Sequence, residues 1–284
     1  MKQSCGFADL PGIYCRQKDS AVVIVPVPYD ETSTWGKGAD KGPQAIIEAS
    51  ANMELYDIET DSQVFLNGIF TDKFLKCKKK PEYMIVQVEQ KVTDLLDNGR
   101  FVVVIGGEHS VSIGSVSAFA NKFKNLSVLQ LDAHSDLRDE YNGSKYNHAC
   151  VMSRIRRISP IVQVGIRSMD ACEKQQLDKK NVFFAKDIHN KKGWVEKVIA
   201  RLKRNVYVTI DLDVFDPSIM PSTGTPEPGG LLWYDVLGLL KAVCQKKTVV
   251  GFDVVELKPD DMNKSPDFLA AKLIYKLLSY KFVD

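Results

Sequence analysis

Short, continuous apolar runs recur along the chain and are rich in valine and isoleucine. Their apolar positions do not alternate with polar ones, a pattern typical of strands that are buried on both faces of a sheet. Each run is followed by small or acidic residues. The six runs span residues 22–25, 101–105, 126–131, 161–164, 206–210 and 249–252.

Amphipathic stretches of helical length lie between the apolar runs, at residues 83–97, 110–123, 194–204, 233–246 and 266–280. An alternation of strands and helices predicts a parallel sheet that is covered by helices. The chain contains no internal repeat and no linker rich in proline, glycine and serine. We therefore predict one α/β domain over residues 1–284.

The composition is that of a globular protein. A chain of 284 residues is long enough to bury a large core without disulfides or a structural metal. Its 38 basic and 36 acidic residues leave a net charge of +2, which is too small to hold a polyanion by charge alone. We therefore expect neither nucleic acid nor an anionic membrane as a partner.

The cysteines and the hydropathy pattern indicate a cellular compartment. The six cysteines contain no CxxC pair, and the first residues include no apolar segment of the kind that directs export. The chain also lacks a run of roughly 18–20 apolar residues, the length needed to cross a bilayer. We expect a soluble protein of the reducing cytoplasm.

Potential metal ligands follow three of the predicted strands. The motif GGEHS places His109 at the exit of a strand-to-helix turn, which its two glycines allow. The motif DAHSD carries Asp132, His134 and Asp136 at alternate positions. In an extended chain, residues two apart project from the same face, so these three side chains should converge.

The third strand ends in Asp211 and Asp213, whose carboxylates also share one face. In an open parallel sheet, ligands bind beyond the carboxyl ends of the strands, so we expect all of these side chains to lie close together. A single aspartate after a strand is commonly a cap or a turn former. Four carboxylates at one sheet edge would instead repel one another and raise their pKa values unless cations neutralised them. The pattern thus predicts a metal site.

The donor set narrows the choice of metal. Four aspartates and two histidines, with no thiolate, form an oxygen-rich set that suits Mn²⁺ better than structural zinc or copper. Six protein ligands are few for two separate octahedral ions, so we expect Asp132 and Asp211 to touch both ions. Such ions would lie roughly 3.5–4 Å apart and share a water. Fe²⁺, Co²⁺, Ni²⁺ and Zn²⁺ are also compatible with these residues.

Together, these motifs resemble those of the ureohydrolase family, which includes arginase and agmatinase. The resemblance covers nearly the whole chain. It rests on GADKGPQAIIEAS (38–50), GGEHS (106–110), DAHSD (132–136), TIDLDVFDPSIMPSTGTPEPGG (209–230) and GFDVVELKP (251–259). It implies a three-layer α/β/α fold around an eight-stranded parallel sheet, assembled into a homotrimer or homohexamer.

The same resemblance implies two manganese ions per chain. One ion would be held by His109, Asp132, Asp136 and Asp211. The other would be held by Asp132, His134, Asp211 and Asp213. These are the six residues that the strand ends also indicate.

The loop LRDEY, at residues 137–141, is similar to that of bacterial and archaeal agmatinases. This similarity implies hydrolysis of agmatine to putrescine and urea, a step of polyamine biosynthesis. Two divalent ions neutralise four carboxylates. A bound hydroxide and Glu256 would then give the pocket a negative charge, which attracts a cation such as a guanidinium group. A carboxylate can hold guanidinium NH groups bidentately, and the resemblance implies this role for Glu256.

Four further residues have expected roles in proton transfer or in binding the substrate's tail. Asp136 is expected to pass a proton to the leaving nitrogen, and His148 to exchange protons with solvent, because an imidazole titrates near neutral pH. The resemblance implies that Asp170 and Glu173 contact the substrate's tail. Acidic residues there also suit the start of the next helix, whose N-terminus favours negative charge.

Other functions are compatible with the same motifs. A guanidinobutyrase, a guanidinase, an aminopropylagmatine hydrolase or an arginase would use the same metal site. An amide deacetylase of the related fold holds a single zinc with fewer acidic ligands, so six ligands argue against it. A non-catalytic, metal-binding regulatory subunit is an alternative from another class, although His148 and Glu256 are both present.

Overall fold

The computed structural model describes residues 6–189 and 191–282. Each of the six predicted apolar runs forms a strand, and two further strands of three residues each complete the sheet. The strands are β1 (Val22–Val27), β2 (Ile69–Thr71), β3 (Phe101–Gly106), β4 (Leu126–Leu131), β5 (Ile161–Ile166), β6 (Val182–Phe184), β7 (Asn205–Asp211) and β8 (Thr248–Val255). All pairs are parallel, in the spatial order β2-β1-β3-β8-β7-β4-β5-β6, which confirms the predicted eight-stranded parallel sheet.

Helices connect the strands. They are α1 (Gly42–Ser50), α2 (Pro81–Asp97), α3 (Val111–Lys122), α4 (Val151–Ile155), α5 (Ala185–Ile188), α6 (Trp194–Arg201), α7 (Trp233–Lys246) and α8 (Ser265–Phe282). The predicted ranges of α2, α3, α7 and α8 agree with the structure to within two residues at each end. Helix α6 ends at Arg201 rather than at residue 204, because Leu202 is already extended and the chain enters β7 at Asn205.

The sheet separates two hydrophobic cores. Along each central strand, successive side chains point alternately into one core and into the other. In β3, Val103 belongs to the core shared with α1, α7 and α8, whereas Val104 belongs to the core shared with α2 and α3. Because helices cover both faces, the apolar positions of the strands are continuous. This arrangement confirms the three-layer α/β/α fold.

The two strands that the hydrophobic pattern did not predict are β2 and β6. Each pairs on one side only, β2 with β1 and β6 with β5. Natural edge strands are commonly very short. Apolar runs of three residues are too short to distinguish from a loop by periodicity, so the sequence carried little signal for them.

The order of the strands brings the predicted ligands together. Strands β3, β8, β7 and β4 are neighbours at the centre of the sheet. Strand β4 ends directly before Asp132, β8 ends directly before Glu256, and β7 ends at Asp211. His109 follows β3 by three residues. Because all four strands are parallel, these residues emerge at the same edge, where ligands bind in open α/β sheets.

The described helices and cysteines show two further features. None of the helices in the described part of the chain is both long and apolar enough to span a membrane. No disulfide joins the five cysteines that the structure describes, and Cys5 lies outside the described residues.

Candidate metal centre and substrate pocket

Two groups of three side chains could each hold a metal ion at the carboxyl edge of the sheet. One group is His109, Asp132 and Asp211, and the other is Asp132, His134 and Asp213. Within each group, the donor atoms all lie within 4.8 Å of one another. Asp132 belongs to both groups, so the geometry allows two ions that share this carboxylate.

The sixth predicted ligand, Asp136, lies beside the first group. Its Oδ2 atom is 3.1 Å from Nδ1 of His109, and the same nitrogen is 3.2 Å from Oδ2 of Asp132 and 3.5 Å from Oδ2 of Asp211. This nitrogen is buried and has no hydrogen-bond partner within the described residues. A buried lone pair that faces three carboxylate oxygens fits a divalent cation, which would complete its coordination.

The other nitrogen of His109 contacts the protein. Nε2 lies 2.9 Å from Oγ1 of Thr209, and the Thr209 hydroxyl donates a hydrogen bond of 2.6 Å to Asp253. Because the hydroxyl proton points to Asp253, the Thr209 oxygen accepts a hydrogen bond from the N–H at Nε2. This arrangement leaves the lone pair on Nδ1, which is the nitrogen that faces the carboxylates.

The carboxylates are too close together to ionise independently. Burial and the charges of Asp136 and Asp213 raise the pKa of Asp132 to about 7. Burial and the charges of Asp213 and Asp132 raise the pKa of Asp211 well above its usual range. Burial also opposes the ionisation of Asp213, but the neighbouring His134 outweighs it and holds the pKa of Asp213 at about 2. Cations between these carboxylates would remove the repulsion.

Two residues of the site have backbone conformations that non-glycine residues rarely adopt. Asp136 has a φ of 51° and Glu256 has a φ of 68°. Left-handed conformations of this kind cost on the order of 1–3 kcal/mol and collect at functional sites. The N–H of Glu256 donates to the carbonyl of Gly107, and its Oε1 accepts the N–H of His109, each at 2.7 Å. These bonds hold the Glu256 carboxylate at the wall of the cavity.

One arginine ties the end of β7 to the loop across the cavity. Arg167 donates to the carbonyl oxygen of Asp213 at 2.5 Å and to that of Glu227 at 2.9 Å. It also donates to the carbonyls of Val214 and Phe215, each at 3.3 Å. Because one guanidinium group binds both segments, it fixes the position of Asp213 relative to the loop that carries Glu227.

A cavity of about 320 Å³ opens above the carboxylates. Trp35 and Gly36, from the loop after β1, form one wall. Gly224 and Thr225, from the glycine- and proline-rich loop after β7, form another. Trp35 is 83% exposed, so the mouth of the cavity is open at this side chain.

His148 also lines the cavity. Its Nδ1 atom lies 3.1 Å from Oγ1 of Thr32, and its backbone N–H donates to the same oxygen at 3.0 Å. The ring of Tyr141 meets the imidazole edge-on, with centroids 6.2 Å apart. Burial lowers the pKa of His148. The ring is therefore held in one orientation, and its Nε2 is the nitrogen left for the cavity.

The two acidic residues predicted to contact the substrate's tail have different surroundings. Asp170 lies at the mouth of the cavity, with a side chain 44% exposed and 3.5 Å from Arg138. Glu173 also lines the cavity but is buried, and it accepts hydrogen bonds from Ser135 at 2.6 Å and from the N–H of Leu137 at 2.7 Å. The two residues form a capping box at the start of a short 3₁₀ helix, as the alternative interpretation anticipated.

Sequence reasoning missed several polar residues that position the ligands. Gln130 donates a hydrogen bond to Asp132, and Thr209 contacts His109. Each lies two residues before an aspartate near the end of a mostly apolar strand, and so on the same face as that aspartate. This spacing is a signal that could have found them. Thr32 lies in an irregular loop, and nothing near it in the sequence connects it to His148.

The chain is similar to known proteins over nearly its whole length. Residues 20–279 match the model of the arginase family. The N(1)-aminopropylagmatine ureohydrolase of Synechocystis sp. is 39% identical over 273 residues, which cover 92% of this chain and 89% of that protein. The agmatinase of Pyrococcus horikoshii is 33% identical over 266 residues, which cover 92% of each chain. The crystal structure of the agmatine ureohydrolase of Thermoplasma volcanium superposes with a TM-score of 0.85 at 34% identity, covering 93% of this chain and 90% of that chain.

Proposed function

Because this chain belongs to the arginase family, whose model matches residues 20–279, we propose that it is a dinuclear manganese hydrolase that releases urea from a guanidino group. Its relatives are hydrolases of C–N bonds in linear amidines, and the chain is an enzyme of this class. The proposed substrate is agmatine, which would give putrescine in polyamine biosynthesis. The observation that carries the proposal is the pair of donor groups that share Asp132 beneath a cavity lined by Glu256.

The donor set supports the choice of two divalent ions. The two ions would be held by His109, Asp132, Asp136 and Asp211, and by Asp132, His134, Asp211 and Asp213. An oxygen-rich set without a thiolate favours Mn²⁺ over softer metals. When bound, such a pair of ions supplies Lewis acidity and activates a water for attack on the guanidinium carbon.

Glu256 is proposed to bind and orient the guanidinium group. One carboxylate oxygen, Oε1, accepts the backbone N–H of His109. The other, Oε2, lies against Gly224, where an added Cβ would be 3.8 Å away. A planar guanidinium presents its N–H groups in a fixed fork, so a fixed carboxylate defines the plane in which it lies. This contact would place the guanidinium carbon above the metal-binding carboxylates.

Asp136 and His148 are proposed to move the protons. The leaving amine is a strong base and must be protonated before it departs. Asp136 lies on the cavity floor, where it can take a proton from the nucleophile and pass it to that nitrogen. His148 lies on the cavity wall, where it can exchange a proton with solvent at neutral pH.

Asp170 is proposed to bind the ammonium group at the other end of the substrate. Its exposed carboxylate at the cavity mouth suits a cationic tail. Glu173 would contribute by placing the DAHSD segment and the residue after it, because its Oε1 atom accepts hydrogen bonds from both Ser135 and Leu137. A second candidate substrate is N(1)-aminopropylagmatine, which the 39% identity to the Synechocystis enzyme favours.

Urea release from a panel of guanidino compounds tests this proposal. The panel contains agmatine, N(1)-aminopropylagmatine, arginine, 4-guanidinobutyrate and guanidine, each assayed with the manganese-loaded protein. We expect turnover of one or both of the first two, with kcat/KM at least about tenfold above that of arginine, whose carboxylate Asp170 would repel. Protein that holds two metal ions but releases urea from none of these compounds would instead support the non-catalytic regulatory subunit.

Two further expectations concern assembly and compartment. We expect a homotrimer or a homohexamer, located in the cytoplasm. Light scattering coupled to size-exclusion chromatography measures the mass of the assembly directly. A mass equal to that of one chain would contradict the expected assembly.

A further inference from the structure

We propose that Thr32 and Glu108 form a hydrogen-bonded chain that fixes the tautomer of His148 and keeps its Nε2 lone pair directed to the cavity. Both would be positioning residues, because they act on the reaction through the imidazole. The inference rests on the proposed function only in assigning His148 to proton transfer. The tautomer itself is a property of the protein that can be measured without turnover.

The hydroxyl of Thr32 uses all of its hydrogen-bonding capacity. Its oxygen is 3.1 Å from Nδ1 of His148, 3.0 Å from the backbone nitrogen of His148 and 2.8 Å from Oε1 of Glu108. A hydroxyl has one proton to donate and two lone pairs with which to accept. The backbone N–H can only donate, so it takes one lone pair. Whether the Thr32 hydroxyl donates to Glu108 or to Nδ1 of His148 therefore depends on Glu108.

Glu108 is a buried carboxylate with four donors around it. Oε2 accepts the backbone N–H groups of Thr32 at 2.6 Å and of Ser33 at 2.9 Å. Oε1 accepts hydrogen bonds from the hydroxyl of Thr32 and, at 2.5 Å, from that of Ser110. Burial raises the pKa of Glu108 to about 7, so at pH 9 the carboxylate is ionised and offers about four acceptor positions, which these four donors fill. The Thr32 proton accordingly points to Glu108.

The tautomer of His148 follows from these directions. The Thr32 hydroxyl donates its hydrogen bond to Glu108, and one of its lone pairs accepts the backbone N–H of His148. One lone pair is left for the imidazole, so Nδ1 of His148 must carry a hydrogen. In the neutral ring, Nε2 then holds the lone pair. Nδ1 is bound to the loop after β1, so Nε2 is the nitrogen left to face the cavity that His148 lines.

A second histidine of the chain is held in the same way. His109 contacts Thr209 through one ring nitrogen, and Thr209 donates to the buried carboxylate of Asp253. In both cases a threonine hydroxyl lies between an imidazole and a buried carboxylate. The free nitrogen of His109 faces the metal-binding carboxylates. The repeated arrangement supports a positioning role for the chain from Glu108 to His148.

The kinetics of matched variants test whether Thr32 supports proton transfer by His148. Thr32→Val removes the hydroxyl but keeps the shape and the backbone N–H bound to Glu108. We expect kcat to fall by about 10–100-fold, with KM changed by less than about threefold, because Glu256 and Asp170 still bind the substrate. Thr32→Ser keeps the hydroxyl and should recover most of the activity. The control, Thr71→Val, removes a hydroxyl from edge strand β2, where it accepts the N–H of Phe7, and should behave as the wild type.

Nuclear magnetic resonance of the histidine rings tests whether Thr32 fixes the tautomer of His148. Long-range ¹H–¹⁵N correlations would be recorded on zinc-loaded protein at pH 9, where an ordinary imidazole is neutral. His148 is assigned by the signals that disappear in His148→Asn. We expect the wild type and Thr32→Ser to show a hydrogen on Nδ1, and Thr32→Val to show a mixture of tautomers or mainly the other one.

The outcomes separate this inference from the proposed function. A wild-type His148 with its hydrogen mainly on Nε2 would overturn the inference, whatever the activity. So would a Thr32→Val protein with the kcat and pH profile of Thr71→Val. If the wild type releases no urea from any compound of the panel, the proposed function fails, and the ring correlations still decide whether Thr32 fixes the tautomer.

Discussion

The side chain of Gln130 donates a hydrogen bond of 2.7 Å to Oδ2 of Asp132, two residues further along the chain. The orientation of the Gln130 amide is itself fixed, because its oxygen accepts a hydrogen bond of 2.6 Å from Nε2 of Gln163 on the neighbouring strand. All three side chains are buried. The carboxylate shared by both donor groups is therefore held by a bonded pair of amides from β4 and β5.

Removing this amide should weaken metal binding. We expect Gln130→Leu to lower the affinity for Mn²⁺ by about 10–100-fold, because the shared carboxylate loses the partner that orients it. Isothermal titration calorimetry with MnCl₂ measures the affinity. Gln90→Leu, on the exposed face of α2, is the matched control and should bind Mn²⁺ as the wild type does. Equal affinities of Gln130→Leu and wild type would contradict the positioning role.

Replacing Asp136 tests the proton-transfer assignment. Asp136→Asn keeps the shape of the side chain, and asparagine tolerates the positive φ of this position. Urea release should fall by about 10²–10⁴-fold, the usual contribution of general acid–base catalysis. Asp139→Asn is the control in the same loop, because its side chain is 63% exposed and none of its partners, Ser153, Arg154, Arg157 and Gln176, lines the cavity. Full activity of Asp136→Asn with both metals bound would exclude the assignment.

Asp170 should affect substrate binding more than turnover. In Asp170→Asn, the side chain can still cap the 3₁₀ helix, but the negative charge at the cavity mouth is lost. We expect KM for agmatine to rise up to about fivefold, the scale of an exposed ion pair, with little change in kcat. The KM for guanidine, which has no ammonium tail, should not change. A similar rise for both compounds would mean that Asp170 acts on the loop and not on the tail.

A buried ion pair outside the site predicts how stability depends on pH. Nζ of Lys276, in α8, lies 3.0 Å from Oδ2 of Asp57 and 3.0 Å from Oε2 of Glu59. Burial opposes the ionisation of Asp57, but hydrogen bonds from Lys276 and from nearby backbone N–H groups outweigh it and lower the pKa of Asp57. Because the folded pKa lies below the unfolded one, this contribution to stability is complete above about pH 3.9 and is lost as the pH falls through the folded pKa.

The Lys276→Met variant tests this dependence. At pH 7 it should lower the free energy of unfolding by about 3–5 kcal/mol, because it leaves a buried carboxylate unpaired. The deficit should shrink at pH 3, where Asp57 of the variant is protonated. Urea denaturation at the two pH values measures both quantities. Lys272→Met is the control, because Lys272 lies on the same helix but donates to the carbonyl of Glu54 and lies over the ring of Tyr275 instead of pairing with a carboxylate. An equal deficit at pH 7 and pH 3 would rule out the Asp57 contribution.

The sequence alone predicted the parts of the site that come from strand ends. His109, Asp132 and Asp211 follow long apolar runs, and in a parallel sheet the ends of such runs meet at one edge. The contacts made by loops could not be predicted in this way. Thr32 meets His148 across a separation of 116 residues, and no local pattern specifies how two irregular loops approach each other.

The roles of Asp170 and Glu173 also depend on loop contacts that the sequence could not predict. The family resemblance implied that both residues contact the substrate's tail, whereas their position also suited a helix start, and the sequence could not separate the two roles. In the fold, Glu173 lies under the DAHSD loop and accepts its hydrogen bonds, whereas Asp170 remains at the mouth. This difference depends on the path of the loop in three dimensions, which the order of residues does not determine locally.

We propose that six side chains from three strand ends form one cage for two metal ions. Anomalous diffraction at the manganese absorption edge, from crystals of manganese-loaded protein, tests it most directly. We expect two peaks roughly 3.5–4 Å apart, with the Asp132 carboxylate touching both. A single peak, or no peak at this edge of the sheet, in protein that releases urea would contradict it.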